Sequence, residues 1–251
     1  MPMPKTIVII PTYNEVENLP KITSALFDLG IEDLEILIVD DASPDGTGRL
    51  ADQLELQYPG KFHVMHRAGK LGMGSAYIQG FKWAFQQAAT YIIHMDADFS
   101  HSPSYIPQFL SLIPDYEVVV GSRYVKGGRL DEHWTWFRRL LSWWANSVWV
   151  RVILGTKTRD ATAGFKCWQA KALQNLDLEH IRSNGYIFQV EMCYQAEKSG
   201  YRIKEIPIYF AERSEGQSKM DTRIQVEAAL RVFDIRLQYR NFQDSNRHVR
   251  E

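Results

Sequence analysis

Cysteine is scarce in this chain: only Cys167 and Cys193 occur, and no CxxC is present. That pattern excludes a disulfide framework and a cysteine-built zinc site. Long hydrophobic runs are also missing. No stretch approaches the roughly 18 uncharged apolar residues that a membrane-crossing helix needs. The opening segment MPMPKTIVIIPTYNE has an apolar run too short for a secretory signal and no small-residue cleavage site, so the expected location is the cytoplasm. A net charge of −1 gives no whole-chain attraction to nucleic acid. Glycine is absent directly after the first apolar run, where a dinucleotide fingerprint would need it, and GKLGMGSA (69–76) lacks the GK[ST] ending of a Walker loop. A calcium loop is excluded as well. Asp96, Asp98 and Ser100 occupy its first three ligand positions, but His101 and Pro107 stand where it needs Gly and Glu.

What the chain does have is an apolar share of 45%, ample for a core, organised as strands alternating with helices. The runs at 6–11, 34–40, 62–67, 91–95 and 117–122 read as strands, with helical spacing over 16–28, from Asp45 as cap to about 58, and over roughly 75–89. Continuous apolar strands linked by helices predict an α/β fold with a mostly parallel sheet and helices on both faces. Beyond Gly127 come Trp-rich and basic helical segments, a Gly-containing stretch near 164, a strand at 203–210 and an amphipathic helix at 222–240. No repeat or long linker interrupts the chain, which predicts one domain with a C-terminal elaboration.

Three strand ends carry polar loops: PTYNE (11–15), VDDASPDGT (39–47) and HMDADFSHSP (94–103). In open α/β sheets, ligands bind at the carboxyl edge of the strands. Asp96 and Asp98, two residues apart where the chain leaves its strand, suit a divalent cation with oxygen ligands, Mg²⁺ or Mn²⁺, shared with a diphosphate. An Asp-rich turn reads the same way in sequence. The acidic pair after the second strand can accept hydrogen bonds from a base or ribose hydroxyls, and Lys70 can approach a diphosphate.

The segment 134–155 holds five of the seven tryptophans, with Arg138, Arg139 and Arg151 interspersed. Phe137, Leu141, Trp144, Val148 and Val152 fall on one helical face, which predicts contact with a membrane surface. A core helix against the sheet is the alternative. Arg138 and Ser142 are four residues apart, placed to hold a phosphate. In ERSEGQSKM (212–220), Arg213 and Lys219 flank a glycine, a composition suited to a mobile lid over phosphate oxygens and equally to a solvated loop.

PTYNE, VDDASPDGT, MDADFSHSP, VVGSRY, the RRLLS helix, DATAGFK, GYIFQVEM and GQSK follow one another across residues 6–220. This set resembles the family 2 inverting glycosyltransferases, and within them the dolichol- and polyprenol-phosphate mannosyltransferases. The resemblance implies a GT-A, Rossmann-like domain over 1–251, with a nucleotide-sugar-binding half (1–125) and an acceptor-binding, membrane-proximal half (126–251). It implies donor contacts from Pro11, Tyr13, Glu15, Val39 and Asp41, with Asp96 and Asp98 coordinating metal and donor diphosphate. Arg123, Arg138 and Ser142 would hold the lipid phosphate, and Arg213 and Lys219 the donor phosphates; Asp98, Arg123 and Arg138 are the residues expected to be indispensable to turnover. Ser100 stands where some relatives offer a side-chain carbonyl to the metal. The implied reaction transfers mannose from GDP-mannose to a polyprenyl (dolichyl-type) phosphate with inversion, the protein sitting peripherally at the cytoplasmic membrane face through the Trp-rich helix or a membrane-protein partner. Three alternatives stay open: UDP-glucose as donor, a glycan-chain glycosyltransferase, and a non-catalytic nucleotide-sugar-binding module.

Overall fold

The computed structural model describes residues 4–132, 135–211 and 222–240, with side chains throughout except at 138–139, 145–147 and 222–229. In chain order the elements are β1 (Thr6–Thr12), α1 (Leu19–Phe27), β2 (Leu34–Asp40), α2 (Thr47–Gln57), β3 (Phe62–His66), α3 (Met73–Gln86), β4 (Tyr91–His94) and α4 (Ile106–Leu112). They continue with β5 (Val118–Ser122), β6 (Arg129–Leu130), α5 (Trp136–Trp144), a π-helical turn (Ala145–Val150), α6 (Arg151–Leu154), β7 (Lys166–Gln169) and α7 (Ala170–Gln174). The last are α8 (Tyr186–Lys198), β8 (Ile203–Pro207), β9 (Tyr209–Phe210) and α9 (Thr222–Gln238).

Seven strands form one sheet in the order β3-β2-β1-β4-β7-β5-β8. The first four are mutually parallel, and β5 and β8 are parallel to each other. The β-branched runs at its centre are buried on both faces, as a doubly covered sheet requires. Val8, Ile10, Ile36 and Ile38 pack with α1, α2 and α4, whereas Ile7, Ile9, Leu37 and Val39 face α3 and α8. Helix α3 lies close on the sheet at Gly80, where a Cβ would come within 2.7 Å of Ile9 Cγ2. A third apolar cluster joins α6, α8 and α9 through Ile153, Leu154, Val190, Val232 and Ile235.

Four details differ from the sequence expectation. Strand β7 was read only as a Gly-containing stretch, yet it inserts antiparallel between β4 and β5, with His94 opposite Lys166. Lys166 is wholly buried, so a charged residue in the strand masks it as solvated chain. The strand expected at 203–210 breaks at Ile208 into β8, in the main sheet, and β9, paired with β6. The helix expected over 134–155 contains the π turn, whose wider winding shifts the face by about one residue; Val150, Ile153 and Leu154 turn inward while Val152 stays exposed. Gly46, not Asp45, is the cap of α2, although the Asp45 carboxylate accepts the Thr47 N–H in its first turn.

Parallel registry puts the ends of β1, β2 and β4 side by side: Thr12 faces Asp40, and Ile9 faces His94. Because β7 runs the other way, the segment leading into it reaches that same edge. Four loops therefore meet there.

Candidate active site

The loops after β1 and β2 are clasped by side chains that catch main-chain donors. The N–H groups of Asn14, Glu15 and Val16 donate to Ser43 Oγ (3.1 Å), Thr47 Oγ1 (2.9 Å) and Asp45 Oδ2 (3.1 Å). The acidic pair divides its labour. Asp40 accepts Thr12 Oγ1 (3.1 Å) and Ser43 Oγ (2.5 Å) and so holds its own turn. Asp41 is bound by Arg67 Nη1 at 2.5 Å and by the Gly72 N–H at 3.3 Å, while Arg67 Nη2 also reaches Ser75 Oγ at 2.5 Å. One buried arginine thereby ties the carboxylate at the end of β2 to the start of α3. Lys70 lies over the Tyr13 ring, 4.2 Å from its centroid. Pro11 and Val39 are register partners, and the Val39 side chain is buried in the core, leaving its main chain at the edge.

After β4, Asp98 is buried and accepts the Ser100 N–H (3.0 Å) and Ser100 Oγ–H (2.6 Å) on Oδ1. Ser100 thus orients Asp98 through its hydroxyl hydrogen. Asp96 is more open, with its side chain 29% exposed. Tyr77 Oη sits 3.4 Å from Asp96 Oδ1, and His101 Nδ1 accepts the Asp96 N–H at 3.2 Å. Burial, reinforced by the Asp96 charge, raises the Tyr77 phenol well above its usual value, so it remains a donor. Burial pushes the His101 imidazole down to about 4. Among the described residues, three of the four non-glycine residues with left-handed backbone occupy these loops: Asn14 (φ 61°), Ala42 (φ 53°) and Phe99 (φ 61°). Such strain, about 1–3 kcal/mol per residue, concentrates where a fold holds a functional edge in shape.

Among the described residues no three His, Cys, Asp or Glu side chains converge as a closed metal cage. Asp96 and Asp98 instead form an oxygen-only, two-carboxylate set. That donor set fits Mg²⁺ or Mn²⁺, which characteristically take one or two carboxylates and complete their shell with substrate phosphate oxygens and water.

On the other side of β4 stands an ion pair. Arg123 meets Asp160 through Nε (2.8 Å) and Nη2 (2.6 Å), its main-chain N–H also reaches Asp160 Oδ2 (2.9 Å), and Nη2 contacts Thr162 Oγ1 (2.7 Å). Asp160 is wholly buried and the Arg123 side chain only 9% exposed. Burial opposes the guanidinium charge, but the facing carboxylate outweighs it and raises the Arg123 pKa. Next to it, Tyr124 Oη and Ser142 Oγ are 2.6 Å apart, joining α5 to this loop. Lys166 donates to Ala163 O and, at 2.8 Å, to Gln189 Oε1, which also meets His94 Nε2 at 3.0 Å. Burial pushes the Lys166 ammonium down to about 8.

Helices α5 and α9 present a broad apolar surface. Trp136 is 76% exposed and Phe137 61%, with Leu140, Leu141, Trp143, Trp144 and Val152 also open. Leu230, Phe233 and Leu237 of α9 extend it, and Trp149 meets Phe233 edge to face at 5.6 Å. No helix among the described residues is long and apolar enough to cross a membrane.

Pro11, Tyr13, Glu15, Val39, Asp41, Asp96 and Asp98 therefore share the carboxyl edge of the sheet, with Arg123 and Ser142 grouped beside Tyr124. The Arg138 side chain, Arg213 and Lys219 lie outside the described residues. Sequence reasoning did not find Arg67, Tyr77, His101 or Gln189. Asp160 and Gln189 do lie within quoted motifs, but their partners are 37 and 95 residues distant, which no local pattern reveals.

The family model described as "Glycosyl transferase family 2" matches residues 7–172. An undecaprenyl-phosphate mannosyltransferase of Micrococcus luteus is 42% identical over 91% of this chain and 92% of its own length. A polyprenol monophosphomannose synthase of Mycolicibacterium smegmatis is 42% identical over 92% of this chain and 86% of its own. Among solved structures, a Pyrobaculum calidifontis mannosyltransferase in complex with GDP-Man and Mn²⁺ superposes with TM-score 0.63 at 14% identity, covering 94% of this chain and 64% of that one. Glucosyl-3-phosphoglycerate synthase from Mycobacterium tuberculosis, with Mn²⁺ and UDP-glucose, gives 0.62 at 14% identity, covering 94% and 79%. The solved structures share the GT-A fold, and the matched residues show that this chain belongs to glycosyl transferase family 2.

Proposed function

We propose that this enzyme transfers mannose from GDP-mannose to a polyprenyl phosphate with inversion, working peripherally at the cytoplasmic face of a membrane. The observation that carries the reading is the near full-length 42% identity to two proteins named for mannosyl transfer to polyprenyl phosphate. The site chemistry is consistent with it. A lipid monophosphate, with a second pKa of about 6, is already a nucleophile at neutral pH and needs no strong general base. The difficulty is to bring two anions together and release a nucleoside diphosphate. Tyr13, Glu15 and Asp41, with the main chain at Pro11 and Val39, receive the nucleoside. Asp96 and Asp98 hold a divalent cation, Mg²⁺ or Mn²⁺, which when bound neutralises the donor diphosphate and stabilises charge on the leaving oxygen. Arg213 and Lys219 add positive charge to those phosphates.

Arg123, Arg138 and Ser142 hold the acceptor phosphate. Arg123 is anchored by Asp160, so it meets the acceptor in a fixed orientation, which is how a preorganised charge contributes most. The exposed Trp, Phe and Leu side chains of α5 and α9 rest in the lipid interface, close to where Ser142 meets Tyr124. A membrane-protein partner is a second means of holding the enzyme there.

The reading is tested by following GDP release from GDP-mannose with purified protein, divalent cation and either a polyprenyl phosphate or the matching polyprenol. Release that depends on the phosphate supports it. Equal release with the alcohol, or with water alone, contradicts the assigned nucleophile.

A further inference from the structure

We propose that His101 is a positioning residue for the metal-binding aspartates, acting through its Nδ1 lone pair on the Asp96 main chain. This rests on the reading of Asp96 and Asp98 given above. The imidazole is 2% exposed and lies between two loops that must keep their spacing. Its Nδ1 accepts the Asp96 N–H at 3.2 Å, which requires a lone pair there and leaves Nε2 as the protonated nitrogen. One ring face stacks on Phe165, with centroids 5.3 Å apart and planes at 28°, and Phe210 meets the ring edge at 5.4 Å. Gly164 leaves room for this seat: a Cβ there would stand 3.1 Å from His101 Cε1. One side chain thus joins the start of the Asp96–Asp98 loop to the D-x-T-x-G-F segment, whose Asp160 anchors Arg123.

The Asp96 N–H leaves β4 just beyond its last sheet partner. An unmet donor in such a place draws the chain toward another acceptor. Removing the Nδ1 acceptor therefore releases the turn that sets the two carboxylates against each other. No metal ligand is lost, so the effect appears as weakened cation affinity with the fold kept.

The test is direct Mn²⁺ binding, followed by the loss of the free-ion EPR signal, to protein saturated with GDP. Wild type is compared with His101→Phe, which keeps an aromatic ring on Phe165 without an acceptor, and with His101→Asn, which places Oδ1 where Nδ1 stands. The expected result is Mn²⁺ affinity lowered about tenfold in His101→Phe and within about threefold of wild type in His101→Asn. GDP affinity without metal stays unchanged in both. Wild-type Mn²⁺ affinity in a folded His101→Phe protein overturns the inference, as does a tenfold loss in His101→Asn. The Asn result decides alone if His101→Phe does not fold. Wild-type protein that binds no Mn²⁺ with GDP overturns the metal reading itself, a failure distinct from that of His101.

Discussion

The Arg123–Asp160 pair has two functions that pull in different directions. As a buried, bidentate pair it holds the loop before β7 against the end of β5, and under the proposed function its cation faces the acceptor phosphate. The structural function dominates the cost of losing it. Arg123→Ala leaves the wholly buried Asp160 without its partner, which destabilises a fold by about 3–5 kcal/mol. Urea denaturation of that variant should show a loss of this order. Asp98 behaves in the opposite way. Its Oδ1 accepts the Ser100 N–H and hydroxyl within its own loop, and under the proposed function it is a metal ligand, so the main effect of Asp98→Ala is expected on turnover. Turnover in that variant should fall by about 10³-fold or more, the scale on which preorganised charge acts at a transition state. Near-normal turnover in folded Asp98→Ala protein would remove the metal from the account.

At the scale of elements, the exposed faces of α5 and α9 carry the most direct consequence. Burying exposed apolar area at about 25 cal/mol per Å² means that replacing both Trp136 and Trp143 by Ser should weaken partition onto polyprenyl-phosphate vesicles by about tenfold or more. Vesicle sedimentation measures this, and the soluble part of the reaction, metal-dependent GDP binding, should not change. What was legible in the sequence also sorts by element. The four parallel strands could be read because each is an unbroken apolar run ending in a polar loop. Strand β7 could not, since burying Lys166 depends in part on an acceptor at Gln189, 23 residues away, that only the folded chain brings near. The Trp-rich helix was legible in composition but not in phase, because the π turn resets which residues face outward. The site followed the same rule. Its strand-end carboxylates were visible, while Arg67 and Tyr77, which contact those carboxylates, and His101, which holds the Asp96 main chain, reach them through the fold.

At the scale of the whole molecule, one topological choice sets which loops meet. Inserting β7 antiparallel brings the loop before it, with Asp160 and Gly164, to the edge already occupied by the ends of β1, β2 and β4. The loops that carry Asp41 and Asp160 therefore reach the same sheet edge, although β1 and β4 stand between their strands. Of the helices between β5 and β7, α5 leaves Trp136, Trp143 and Trp144 exposed, whereas Ile153 and Leu154 of α6 are buried. The proposed function would use this arrangement, with the water-soluble donor entering at the sheet edge and the acceptor phosphate arriving from the exposed apolar side chains of α5 and α9.

The central claim, mannose on a lipid phosphate, is tested most directly by sugar transfer into an organic-extractable product. Purified protein receives polyprenyl phosphate and a divalent cation, with labelled GDP-mannose or UDP-glucose in parallel. The account predicts label in an acid-labile lipid from GDP-mannose alone. Label from UDP-glucose alone would contradict the sugar, and absence of lipid label from either donor would contradict the acceptor.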